Sequence, residues 1–179
     1  MITMRRAGVG DAVWLTGLYG DEDVEPFLGG GRAKDLAAVQ AEVERSRREP
    51  ARFGRMIVEL DGERAGTMGY HEVSDVHRIA QLEVLAVHPD FRRRGVADEA
   101  ARLLQRYLLL ELGYHRLELA CYGFNETAIR HAERVGFVRE GVKRQAYLRH
   151  GAWQDAVLFA LLREDLAGQA SARTPYPSG

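Results

Sequence analysis

The sequence predicts one α+β domain, with a central mixed, mostly antiparallel sheet of about seven strands and four helices packed around it. Segments with strand alternation and segments with helical periodicity follow in the order strand, two helices, three strands, helix, strand, helix, two strands. The helix that begins at Gly95 joins two strands by a crossover, which is the connection that parallel strands need. No repeat or linker divides residues 1–166, so we expect a single domain there.

The composition is that of a soluble globular protein and excludes several function classes. Hydrophobic residues make up 46% and charged residues 28% of the 179 positions. A net charge of −1 gives no field that would attract nucleic acid or a membrane surface. The single cysteine, Cys121, excludes an intrachain disulfide and a multi-cysteine metal site, and we predict no metal. With no signal peptide and no bilayer-spanning run, we expect a cytoplasmic protein whose residues 167–179 form a disordered tail.

The first quarter of the chain predicts one strand and two helices. Ile2–Arg6 is a short strand, and Asp11 is the expected N-cap of the first helix. Residues 21–31 form a loop that is acidic at first and ends in three glycines. Because no Lys-Ser/Thr pair follows the glycines, we interpret them as a mobile connection rather than a phosphate loop. Residues 35–48 form a charged amphipathic helix, which Pro50 stops.

A hairpin of two strands follows. Residues 53–60 and 63–71 are predicted strands, and the Asp61-Gly62 dipeptide between them indicates a tight turn in which both residues have positive φ. Gly66 and Gly69 weaken the second strand and indicate a bulge or the close approach of another group. A polar loop over residues 75–78 leads into the next strand.

The stretch over residues 81–113 is predicted to be a strand, a short loop and a helix. One face of the strand carries Leu82, Val84 and Ala86, and the other carries Gln81, Glu83 and Leu85. Pro89 ends the strand because it has no N–H to donate. Gly113 is the expected left-handed C-terminal cap of the helix. The buried stripe of the helix is Val96, Ala100, Leu103, Tyr107 and Leu110, widened by Ala97, Ala101, Leu104 and Leu108.

The start of that helix has the features of an anion site. The run Arg92-Arg93-Arg94-Gly95-Val96-Ala97 places three guanidinium groups and small residues at the first turn. The first-turn N–H groups are unpaired and carry partial positive charge, and glycine lets a ligand approach them closely. A pyrophosphate is the ligand that such a helix start would bind. The alternative is a solvated arginine cluster beside an ordinary helix cap.

The last elements are a strand, a helix and a hairpin. Residues 115–122 form the strand, and Asn125 is the N-cap of a helix that Gly136-Phe137 ends. Residues 138–148 and 153–162 form a hairpin around His150-Gly151.

Several of these motifs resemble those of the GNAT superfamily of acyl-CoA-dependent N-acyltransferases. They are Leu85-Ala86-Val87-His88-Pro89, the run from Arg92 to Ala97, Asn125-x-x-Ala128 and Gly136-Phe137. The segment Gly136-Phe137-Val138-Arg139-Glu140-Gly141, followed by Arg144, Gly151 and Asp155, is similar to the branch of ribosomal-protein N-terminal acetyltransferases. The resemblance covers residues 2–165.

The resemblance implies acetyl-CoA as co-substrate and a sheet splayed in its middle. The strands ending at Val87 and Tyr122 would part, and the pantetheine arm would lie between them. The implied cofactor-binding residues are Leu85, Ala86, Val87, Arg92, Arg93, Arg94, Gly95, Val96, Ala97, Asp98 and Asn125. The pyrophosphate would bind the amides from Arg93 to Asp98. Asn125 would face the pantetheine or its phosphate, or serve only as a helix cap.

The implied reaction is direct attack of a primary amine, from a small molecule or a protein N-terminus, on the thioester. The amine must be neutral, so a base is needed, and Glu83 acting through water is the first candidate. The alternative for Glu83 is a structural pair with an arginine of a neighbouring strand. Weaker candidates for the base are His71, Glu72 and Tyr70, because they lie at the end of the adjacent strand.

No residue is an obvious candidate for the general acid of the reaction. Many members of the family have a tyrosine seven positions after the asparagine, where this chain has Ala132. Tyr122, Tyr147 or water would then protonate the thiolate, or the thiolate would leave without a general acid. This departure leaves a non-catalytic acyl-CoA-binding or sensor module as an alternative function. The third hypothesis is a nucleotide-binding protein that uses the turn at Arg92 to Ala97 for a different phosphate. The lack of a Walker lysine argues against it. The terminal hairpin could extend a partner's sheet, which would give a homodimer.

Overall fold

The computed structural model describes residues 1–28 and 35–166, and these residues form the predicted α+β domain. The strands are β1 Ile2–Arg6, β2 Phe53–Leu60, β3 Glu63–Ser74, β4 Ile79–Val87, β5 Arg116–Tyr122, β6 Val138–Arg149 and β7 Ala152–Leu162. The helices are α1 Ala12–Tyr19, α2 Leu36–Arg48, α3 Val96–Arg106 and α4 Glu126–Arg134. The predicted order of elements is confirmed. The glycine run and the predicted tail lie outside the described residues.

The sheet is mixed and opens in its middle. Its strand order is β1-β2-β3-β4-β5-β7-β6, and β4–β5, joined through α3, is the parallel pair. These two strands pair from Ile79–Arg116 only as far as Gln81–Glu118, although both continue for several residues. The sheet therefore divides beyond Gln81, which confirms the predicted splay.

Each face of the sheet is covered by a different pair of helices. Helices α3 and α4 pack on one face over a core that includes Met68, Tyr70, Leu82, Leu104, Leu117 and Phe159. Helices α1 and α2 pack on the other face over Leu15, Tyr19, Val39, Val43 and Ile57. In the described part of the chain, no helix is both long and apolar enough to cross a bilayer.

Apart from the cap predicted at Asp11, the turns and caps predicted from the sequence are present. Asp61 and Gly62 have φ of 52° and 87°, and His150 and Gly151 have φ of 53° and 72°. The Asn125 side chain accepts a hydrogen bond from the Ala128 amide at 3.1 Å. Gly113 and Gly136 have positive φ, as left-handed helix ends require, with φ of 72° and 97°.

Asp11 does not cap α1, so that prediction was wrong. Its dihedrals are already helical, at φ −88° and ψ −14°, whereas an N-cap side chain needs extended backbone. Its carboxylate instead accepts hydrogen bonds from Arg5 Nη1 at 2.7 Å and from the Gly8 amide at 2.8 Å. A charged donor on β1 is a stronger partner than a helix amide, and Asp11 is buried beside it.

The alternation predicted for β4 is also wrong beyond Glu83. Glu83 pairs with Gly69 and Ala86 pairs with Thr67, so two residues, Val84 and Leu85, face one residue of β3. Val84 has φ of 55°, which marks the extra residue of a β-bulge. The bulge reverses the faces: Leu82 and Leu85 pack with α3, whereas Val84 packs with α1 and α2.

Helix α3 ends differently from the predicted stripe. Residues Tyr107–Glu111 form a π-helical turn, which holds more residues per turn than an α-helix. Leu108, which was predicted on this face, is buried together with Leu109, whereas Leu110, also predicted to be buried, is 47% exposed.

Candidate functional site

The gap between β4 and β5 is the centre of the candidate site. It opens directly beyond Gln81, and the bulge at Val84 lies three residues further along β4. Because β5 has moved away, backbone groups of residues 82–87 on that side have no strand partner and can bond a ligand. A β-branched residue at positive φ is strained, and such strain concentrates at functional sites.

The segment after β4 forms a concave array of backbone N–H groups. Arg93 and Gly95 both have left-handed dihedrals, with φ of 60° and 76°, and α3 begins at Val96. Alternation of left-handed and right-handed residues turns successive amides toward one point and makes a nest for anions. The Arg93 and Arg94 side chains are exposed beside it. The nest and the arginines supply N–H donors and positive charge of the kind that a pyrophosphate would bind, and their role in cofactor binding stays a prediction.

The other predicted cofactor residues differ in burial and in the bonds that their side chains make. Leu85 and Val87 are half-buried against α3, and Ala86 is buried on the opposite face. Asp98 is bonded through both carboxylate oxygens to Arg134, at 2.7 and 2.8 Å, which lowers the pKa of Asp98. The Asp98 side chain is therefore occupied, and only its first-turn amide remains for an anion.

Glu83 belongs to a charged network that crosses the sheet on the α1–α2 face. The buried guanidinium of Arg55 donates from Nη1 to Glu83 Oε1 and from Nε to Glu42 Oε2, both at 2.8 Å. His71 Nδ1 lies 3.4 Å from the second oxygen of Glu83. The predicted structural pair between Glu83 and an arginine is thus present, with Arg55 reaching it from β2 across β3.

Two opposing effects act on the ionisation of Glu83. Burial raises the pKa of this carboxyl, but the hydrogen bond with His71 and the charge of Arg55 outweigh it and lower the pKa to about 2. A carboxylate held in this way stays ionised and has little affinity for a proton. Catalysis by Glu83 stays a prediction.

Tyr122 lies at the end of β5 in an aromatic cluster. Its ring stacks on Phe124 at 5.1 Å and meets Tyr147 edge-on at 5.6 Å. Burial raises the pKa of Tyr122, so the phenol is neutral and can donate a proton. Ala132 is 1% exposed inside the core and contributes no acid. Phe124 was not predicted as a site residue. Its position two residues after Tyr122 was the feature of the sequence that could have indicated it.

The acidic loop before α2 is attached to both sides of the site. Arg92 donates to the Asp23 carbonyl at 2.9 Å, so this predicted cofactor residue also contacts the loop. Arg149 pairs with Glu25 at 2.7 Å, and His150 Nε2 lies 3.1 Å from the Pro26 carbonyl. Residues 21–28 therefore connect the anion nest with the terminal hairpin.

Comparison with known proteins identifies the family. The chain matches the acetyltransferase (GNAT) family over residues 19–137. The chain belongs to the GNAT family of acetyltransferases. Within residues 1–28 and 35–166, no group of three His, Cys, Asp or Glu side chains is placed to hold a metal ion.

Similar proteins include N-acetyltransferases of bacteria. An uncharacterised prophage-derived N-acetyltransferase of Bacillus subtilis is 33% identical over 111 residues, which are 62% of this chain and 55% of that protein. The spermidine N(1)-acetyltransferase of Escherichia coli K12 is 30% identical over 109 residues, which are 61% of this chain and 58% of that protein. The matched region thus spans little more than half the length of these two relatives.

The fold is also that of solved acetyltransferase structures. The spermidine N-acetyltransferase of Vibrio cholerae, crystallised with CoA and spermine, superposes with a TM-score of 0.84 at 20% identity. The superposition covers 93% of this chain and 98% of that one. At this identity the likeness supports the fold and leaves the acceptor open.

Proposed function

We propose that this GNAT protein transfers the acetyl group of acetyl-CoA to a primary amine by direct attack in a ternary complex. The observation that carries the proposal is the gap between β4 and β5 with an anion nest at its end. A gap lined by unpaired backbone suits a pantetheine amide chain, and a nest at a helix start suits its pyrophosphate. Family membership supports the same cofactor.

The predicted residues take distinct roles in this proposal. The amides from Arg93 to Asp98 hold the pyrophosphate, with Arg92 and Arg94 adding charge. The backbone of residues 85–87 bonds the pantetheine, and Asn125 faces it from the start of α4. An N–H of the bulge next to Leu85 would stabilise charge on the thioester oxygen, and Tyr122 would protonate the departing thiolate.

The acceptor is proposed to be a small-molecule amine or a protein N-terminus. The similarity to spermidine acetyltransferases makes polyamines the first acceptors to test.

The test measures CoA thiol release with spermidine, spermine and a peptide that begins with a free alanine. Turnover of at least one amine is expected, with a product whose mass rises by one acetyl group. Calorimetry with CoA measures cofactor binding separately. Absence of CoA binding would contradict the proposal.

A second candidate is a non-catalytic acyl-CoA-binding module. Ala132 at the usual tyrosine position and the strongly ionised Glu83 favour it. Tight CoA binding without turnover of any amine in the panel would support this module, and turnover would eliminate it.

We also propose that the protein forms a homodimer through the terminal hairpin. Strand β6 is at the edge of the sheet, and Val138, Leu148 and Trp153 of the hairpin are more than half exposed. An unpaired edge with apolar side chains is suited to a second copy. Sedimentation equilibrium should give twice the mass of the chain, and a monomer at all concentrations would contradict this assembly.

A further inference from the structure

We propose that His71 takes the proton from the acceptor amine and that Glu83 positions its imidazole. This inference rests on the proposed acetyl transfer and names the group that makes the amine nucleophilic. His71 is then a catalytic residue, and Glu83 and Arg55 are positioning residues that act through it.

The place of His71 in the sheet supports this role. His71 on β3 pairs with Gln81 on β4, the last β4 residue that pairs with β5. Glu83 pairs with Gly69, two residues before His71, so the two side chains are diagonal neighbours on one face. The His71 side chain is 35% exposed, which leaves one side of the ring open to a ligand or water. His71 therefore lies one strand from the point where the gap opens, at the same level along the sheet.

The contact with Glu83 determines which ring nitrogen can accept a proton. Nδ1 of His71 faces Glu83 Oε2 at 3.4 Å, so the neutral imidazole carries its hydrogen on Nδ1 and donates it toward the carboxylate. Nε2 then keeps its lone pair. A histidine oriented by a carboxylate in this way is the usual arrangement of a general base.

The charges around the pair keep Glu83 in the positioning role. Arg55 from β2 occupies the other Glu83 oxygen, and Glu42 from α2 lies on the far side of Arg55. A carboxylate bonded by two partners accepts a proton only with difficulty, so Glu83 is better suited to hold the imidazole than to take the proton itself.

The proton balance of the reaction is complete with this assignment. Nε2 takes one proton from the acceptor ammonium and becomes an imidazolium. The neutral amine attacks the thioester carbon, the C–N bond forms and the C–S bond breaks. Tyr122 protonates the departing thiolate and takes the remaining surplus proton of the nitrogen in return. The imidazolium then releases its proton to water. The products are the amide, CoA thiol and one proton.

The first experiment observes the pair without catalysis. Nitrogen NMR of the imidazoles in the free protein should show the Nδ1–H tautomer of His71, and Glu83→Gln should reduce its population. A dominant Nε2–H tautomer in the native protein would overturn the positioning by Glu83, whether or not any amine is acetylated.

The second experiment measures the pH profile of turnover with the best acceptor among spermidine, spermine and the alanine peptide. His71→Gln should lower kcat by roughly 10²- to 10⁴-fold and remove the acidic limb from the pH profile of kcat/KM. Its CoA affinity should not change. His77→Gln, in the exposed loop after β3, is the matched control and should keep the native profile.

Two results of this experiment have opposite meanings. An acidic limb that persists unchanged in His71→Gln and disappears in Glu83→Gln would overturn the assignment in favour of Glu83. Native protein that binds CoA but acetylates no amine of the panel would overturn the proposed acetyl transfer itself, and the catalytic role of His71 with it.

Discussion

Gly69 determines which partners Arg55 can reach. A Cβ at this position would lie 2.0 Å from Arg55 Nη1, so only glycine lets the guanidinium cross β3 to meet Glu83. The sequence predicted a close approach at Gly69 because glycine weakens a strand. It did not identify Arg55 as the side chain that approaches, since a pattern along one strand carries no information about the side chains of another strand. The arginine partner of Glu83 was predicted only as a type of residue.

The Glu83 carboxylate should make the stability of the protein depend on pH in the acidic range. Its pKa falls from the ordinary 4.5 to about 2 on folding. A lowered pKa stabilises the fold fully above the unfolded pKa, and the stabilisation disappears as pH falls from 4.5 toward 2. At pH 7 the shift corresponds to about 3 kcal/mol.

Urea unfolding of the native protein and Glu83→Gln from pH 7 to pH 3 measures this effect. The difference in unfolding free energy between them should be constant above pH 5 and decrease below it. Glu63→Gln, at the exposed β2–β3 turn, should differ little from the native protein at every pH. A difference between the native protein and Glu83→Gln that does not change with pH would contradict the lowered pKa.

The elements themselves were largely predictable from the sequence, and their irregularities were not. Periodicity, Asp-Gly and Asn signals predicted the strands, turns and caps because these depend on neighbours within a few residues. The bulge at Val84 and the π-helical turn at Tyr107–Glu111 were missed. Nothing local favours a valine at positive φ, so the bulge is imposed by contacts of β4 with β3 and with the helices on both faces. Each irregularity changed which side chains are buried.

Gly95 should control both the geometry of the α3 start and its affinity for CoA. No atom lies within 4 Å of a Cβ built there, so Gly95→Ala creates no clash, but φ of 76° is unfavourable for alanine. We expect a loss of about 1 kcal/mol in unfolding free energy. The added methyl group and the altered nest should weaken CoA binding by about tenfold or more.

Calorimetry with CoA and urea unfolding test this prediction together. Gly10→Ala is the matched control, because a Cβ there also meets nothing within 4 Å and its φ is not positive. That variant should keep native CoA affinity. If Gly95→Ala binds CoA as tightly as Gly10→Ala, the anion nest is not the pyrophosphate site.

At the scale of the whole molecule, the acidic loop and the terminal hairpin are joined across a long sequence separation. Arg149 reaches Glu25 from 124 positions away, so no local pattern predicts the pair. The Arg149 side chain is 9% exposed and that of Glu25 is 36% exposed. In the described part of the chain, Arg149 Nε is a buried donor without a hydrogen-bond partner. The guanidinium therefore depends strongly on the Glu25 carboxylate for its charge balance.

Glu25→Gln should destabilise the protein because it leaves a buried guanidinium without a counter-charge. We expect a loss of about 1–3 kcal/mol in unfolding free energy, measured in urea at pH 7. Glu126→Gln removes one partner of the exposed Glu126–Arg130 pair, whose side chains are 77% and 64% exposed, and should cost less than about 0.5 kcal/mol. Equal losses for the two variants would mean that the contact between loop and hairpin contributes no more than a surface pair. A larger loss for Glu25→Gln, with more rapid hydrogen exchange in β6 and β7, would show that the loop over the site and the hairpin unfold together.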